Sequence, residues 1–96
     1  MPTFRGRLRA FVVEAYLPAA DQPAAIAIGA RLSGAAADLQ TAGTPIAFES
    51  GQLLTDDEVA FYVFSAESRE AVEMALTRAG VRFDRIAESV PLTRRG

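Results

Sequence analysis

The chain has 96 residues, half of them hydrophobic, with ten basic and twelve acidic side chains and a formal net charge of −2. That is the size of one domain with one core, residues 1–96, and its mild acidity gives no general attraction to nucleic acid or anionic membrane, so neither is an expected partner. All ten basic residues are arginine; with no lysine, histidine or cysteine, disulfides, thiolate and Schiff-base catalysis and imidazole acid–base chemistry are excluded.

The opening MPTFRGRLRAFVVEAYLPAA sets arginines before an apolar run, the outline of a secretion signal, but Glu14 interrupts the run and Pro18 follows it. It reads instead as a first strand over about Leu8 to Leu17, ended by Pro18. No segment reaches the ~18 apolar residues of a spanning helix, so a cytoplasmic protein is expected. Asp21 is a helix cap and Pro23 suits a first turn. Ile28, Leu32, Ala35 and Leu39 then form one apolar stripe, the small residues between Ala24 and Ala37 permit close approach to the surface they cover, and Gly43 stands where a left-handed terminus is expected.

TPIAFES, residues 44–50, reads as a short second strand with Pro45 at its start. The polar SGQLLTDDE then turns the chain into a third strand, VAFYVFS, to give an antiparallel pair. That third strand is apolar at odd positions (Val59, Phe61, Val63) and at even ones (Tyr62, Phe64), which asks for burial on both faces. Ser68 caps a second helix with Glu70 and Glu73 near its start, Arg78 near its end and Gly80 after it; Val72, Ala75, Leu76 and Ala79 are its buried stripe. VRFDRIAESV supplies a fourth strand, followed by an arginine-containing tail over residues 91–96 that is expected to be flexible.

The order βαββαβ predicts an α+β, ferredoxin-like domain, a largely antiparallel four-stranded sheet with two helices on one face. The other face is left open, and its apolar residues are expected to meet a second copy, a small ligand, or both. Two stacked sheets would make a dimeric α+β barrel, with Phe61, Tyr62 and Phe64 at the interface.

Carboxylates, hydroxyls and arginines are the remaining chemical groups. A nitrogen- or sulfur-ligated metal site is excluded, and no metal or cofactor is assigned; Asp56, Asp57 and Glu58 read first as a solvated turn and second as an oxygen-rich cation site. Glu14, within an apolar strand on the side of Val12 and Tyr16, needs a hydrogen-bonding partner if buried. The first and third strands are neighbours in this fold, so Glu14, Tyr62 and Arg85 would form a polar floor in an apolar pocket, either a ligand site or a structural network at a strand end or interface. Arg5, Arg7 and Arg9 share a parity and read first as solvated residues at the start of the chain and second as donors to phosphate or carboxylate. The glycines form neither a phosphate loop nor a dinucleotide fingerprint.

Three stretches, FVVEAYLP in the first strand, TDDE before FYVFSAESREAVEMALTRAG, and FDRIAE after it, give the chain a family likeness: it resembles the small DUF4242 proteins, described as nickel-binding or nickel-responsive ferredoxin-like proteins. The likeness covers most of Phe11 to Glu88. It implies a ferredoxin-like domain, commonly dimeric, and nickel binding. Nickel suits imidazole, and this chain has no histidine, so no metal role passes to Glu14, which matches the family's first-strand glutamate.

The resulting expectation is a non-enzymatic homodimer binding a small, largely apolar molecule at the sheet face or interface, with Glu14, Tyr62 and Arg85 as polar contacts. The alternatives are a small dimeric barrel enzyme, an isomerase or cofactor-independent oxygenase with Glu14 as base and Tyr62 or Arg85 holding an oxyanion, and a metal-binding protein using oxygen ligands near Asp56 and Asp57.

Overall fold

A computed structural model describes residues 8–19 and 21–92. The elements are β1 (Arg9–Tyr16), α1 (Gln22–Thr41), β2 (Ile46–Leu54), β3 (Val59–Ala66), α2 (Arg69–Ala79) and β4 (Arg85–Ser89), with strand order β2-β3-β1-β4 and every neighbouring pair antiparallel. This α+β arrangement is compatible with a ferredoxin-like fold. Among the described residues no helix is long and apolar enough to cross a membrane.

Local signals set the helix ends. The Asp21 carboxylate accepts from the Ala24 N–H at 3.0 Å and the Ser68 hydroxyl oxygen from the Ala71 N–H at 3.2 Å, each satisfying a donor that has no partner within its helix. Gly43 and Gly80 follow the two helices with φ of +104° and +68°, conformations that a Cβ disfavours. The C-terminal end of α2 has a further partner: Arg31 of α1 donates to the carbonyls of Ala79 and Gly80 at 2.8 and 3.0 Å.

The strands alternate sharply. Phe11, Val13 and Ala15 of β1 and Ala60, Tyr62, Phe64 and Ala66 of β3 are buried under the helices, where they join Leu32, Ala35, Ala36 and Leu39 of α1 and Val72, Ala75 and Leu76 of α2 in one core. On β3 the two aromatic rings are flanked by the small Ala60 and Ala66, which lets the helices lie close at the strand's ends.

Two elements depart from the sequence reading. β2 continues through Gly51-Gln52-Leu53-Leu54, the segment read as a turn, and the real turn is only Thr55–Glu58. The reason is a β-bulge: the pairing runs Phe48↔Phe64 and then Ser50↔Val63, so Glu49 is left out and the side-chain parity of β2 switches. Residues directly opposite share a side, so Phe48, Gly51 and Leu53 all face the helices, a spacing no simple alternation reveals. β4 is shorter than expected, because residues 81–84 precede the strand; Asp84 instead ties the end of β1, donating its N–H to the Glu14 carbonyl at 2.8 Å and accepting from the Tyr16 N–H at 2.7 Å.

Candidate functional site

The register decides which candidate residues meet. Glu14 lies opposite Phe61 on one side and Arg85 on the other, whereas Tyr62 lies opposite Val13. Glu14 and Arg85 therefore share the helix-free face, where Arg85 donates to the Glu14 carboxylate at 2.8 Å. The Arg85 side chain is 63% exposed and that of Glu14 31%. Tyr62 is on the opposite face, buried beneath α1, and does not join them. A single pocket floored by all three does not form, because one residue along a strand separates two sides of a sheet.

The same rule divides the aromatic residues expected at an interface. Phe61 is on the helix-free face, while Tyr62 and Phe64 are buried in the core under the helices. The open face is built in rows across the sheet. Ala87, Val12 and Val63 make one; Arg85, Glu14, Phe61 and Gln52 make the next; Tyr16, Val59 and Leu54 make a third. Val12, Val59, Phe61 and Val63 are half-buried.

Tyr62 has a defined setting of its own. Its hydroxyl donates to the Ala25 carbonyl at 2.8 Å, and its ring lies 6.2 Å from that of Phe48, which in turn meets Phe64 edge-on at 5.4 Å. Burial raises the Tyr62 hydroxyl above the ordinary tyrosine value, since the phenolate would lose its hydration. Above this ring the first half of α1 and the strand β2 leave a cleft of about 810 Å³.

The acidic turn is structural in its last member. Glu58 accepts from the Ala19 N–H at 3.0 Å and from the Tyr16 hydroxyl at 3.4 Å, while its own carbonyl accepts from the Leu17 N–H at 2.8 Å. It thus pins the segment after β1 to the β2–β3 turn. Among the described residues no three acidic side chains cluster as a metal site would require. Of the early arginines, Arg5 and Arg7 lie outside the described residues, as do residues 93–96 of the tail; Arg9 bonds Glu88 at 3.1 Å and the Glu67 carbonyl at 2.8 Å.

Sequence reading did not find the cleft. One signal for it was present, the small residues of α1, and it was assigned wholly to helix packing; the other, Gly51 under an aromatic ring, depends on the bulge. Comparison with protein-family models, curated proteins and solved structures finds no match to the chain.

Proposed function

We propose that the chain is a non-enzymatic, homodimeric protein of ferredoxin-like architecture, two copies packing helix-free face to helix-free face as a dimeric α+β barrel. The observation that carries this is the open face itself: Val12, Val59, Phe61, Val63 and Ala87 adjoin one another there and no part of the described chain covers them as the helices cover the other side. Soluble monomers seldom leave such a continuous apolar area in water. A second copy of the same face is the simplest cover, because a two-fold interface needs one self-complementary patch and sheets pack face to face at about 10 Å. The Glu14–Arg85 pair supports the same reading, since it offers one acidic and one basic group to a symmetric partner. The likeness to the DUF4242 proteins belongs to this proposal; nickel binding does not, because the chain has neither histidine nor cysteine.

A small apolar ligand at this face would have Glu14 and Arg85 as polar contacts and would lack Tyr62, which belongs to the cleft on the other side. An enzyme that holds an oxyanion with Tyr62 beside a Glu14 base loses its support for the same reason.

Light scattering across a concentration series tests the assembly. The unmodified chain is expected to be a dimer and Phe61→Asp a folded monomer; a monomeric parent, or a dimer that survives Phe61→Asp, overturns the proposal.

A further inference from the structure

We infer that the cleft between the first half of α1 and strand β2 is a binding site for an uncharged, mainly apolar small molecule with a ring system and a hydrogen-bonding group. The inference goes beyond the assembly described above and does not depend on it, since the cleft lies on the helix side of the sheet.

Its origin is a change of packing along α1. The second half of the helix sits on the core through Leu32, Ala35, Ala36 and Leu39. In the first half Ala25 is buried and Ile28 packs against the core, while a Cβ on Gly29 would stand only 3.5 Å from the Tyr62 ring and 3.7 Å from Phe48. The helix therefore closes on the aromatic floor at Gly29 without filling the space beside it. The Tyr62 hydroxyl bond to Ala25 fixes the ring in place, so the floor is formed before any ligand arrives.

Three properties select the occupant. The volume of about 810 Å³ falls within the range of small-molecule sites. Among the described residues no charged side chain lines the cleft, so a charged group placed there would lose hydration without a partner. Its walls are apolar, and its polar side chains are the neutral amide of Gln22 and the hydroxyls of Ser33 and Thr55. One large apolar residue remains exposed at the cleft, Ile26 at 62%, and an apolar ligand would shield it.

Fluorescence titration with the neutral dye N-phenylnaphthylamine, with anilinonaphthalene sulfonate as its charged counterpart, tests the site. The unmodified chain is expected to bind the neutral dye saturably, one per chain, and more tightly than the charged dye. Ile26→Glu, at an exposed position that leaves folding intact, is expected to weaken the neutral dye by at least about tenfold through the charge it brings to the rim. Gly29→Leu, which occupies the space over the ring, is expected to abolish binding, with circular dichroism as the control for folding. Phe61→Asp, on the other face, is expected to leave the affinity unchanged whatever it does to assembly. Absence of saturable binding, a preference for the charged dye, retention of full affinity in Ile26→Glu, or loss of binding in a folded Phe61→Asp would each overturn the assignment.

Discussion

Gly51 lies directly against the ring of Tyr62: a Cβ built on Gly51 would be 2.9 Å from Cδ1 and 3.1 Å from Cε1 of the tyrosine. The ring is restrained, because its hydroxyl is held by Ala25 and Phe48 lies beside it. The glycine is required by close approach, since its backbone is not in the left-handed region.

Gly51→Ala should accordingly destabilise the fold by about 1–3 kcal/mol, the usual cost of forcing an added methyl against a restrained side chain. Gly34→Ala is its control: that residue is inside α1 with nothing within 4 Å of the added Cβ, so the change should stabilise by about 0.5–1 kcal/mol. Urea unfolding at fixed protein concentration compares the two, and equal effects would contradict the steric argument.

Tyr62→Phe removes a buried donor to the Ala25 carbonyl and should cost about 1 kcal/mol at neutral pH. Its pH dependence is more diagnostic. The folded hydroxyl titrates above the unfolded one, near 10, so the neutral phenol's contribution is complete below that pH and is lost as pH rises through the higher folded value. The stability gap between the parent and Tyr62→Phe should therefore shrink above pH 10; a gap that stays constant would show that burial does not disfavour the phenolate.

Glu58 combines a left-handed backbone, φ +56°, with a side chain that holds Ala19 and Tyr16. Glu58→Ala loses the side-chain bonds and keeps the strain, whereas Glu58→Gly loses the bonds and relieves a backbone cost of about 1–2 kcal/mol. Glu58→Gly should thus unfold at higher urea than Glu58→Ala. The reverse order would mean that the turn relaxes in the alanine variant.

The Glu14–Arg85 pair is close, yet its exposure limits its worth within one chain to about 0–1 kcal/mol. A double-mutant cycle with Glu14→Gln and Arg85→Gln in the Phe61→Asp background should give a coupling in that range that falls with added salt. A larger coupling would show a pair shielded from solvent within the single chain.

Much of this architecture was legible because it rests on local chemistry. Asp21, Ser68, Gly43 and Gly80 act within a few residues of their own position, and the helix stripes and strand alternation follow from fixed periods. Adjacency of the first and third strands followed from element order, whereas the meeting of Glu14 and Arg85 depends on the pairing of the first strand with the fourth. The inclusion of Tyr62 in that cluster failed on parity: an apolar third strand shows two sides without saying which one the helices take. The β2 error had a related source, because the bulge at Glu49 removes the alternation by which GQLL would have been read as strand.

The sequence by itself determined the order βαββαβ, the helix ends, the exclusion of histidine and cysteine chemistry and the need to bury both sides of the third strand. Only the tertiary structure decided that Phe61 faces outward while Tyr62 and Phe64 face the helices, that Glu58 is a tie, and that a neutral cleft lies over Tyr62. The division has one physical cause. Caps and periods are set by neighbours in the chain, whereas register, a bulge and the choice of covered face are set by contacts between residues far apart in it, which a linear pattern does not encode.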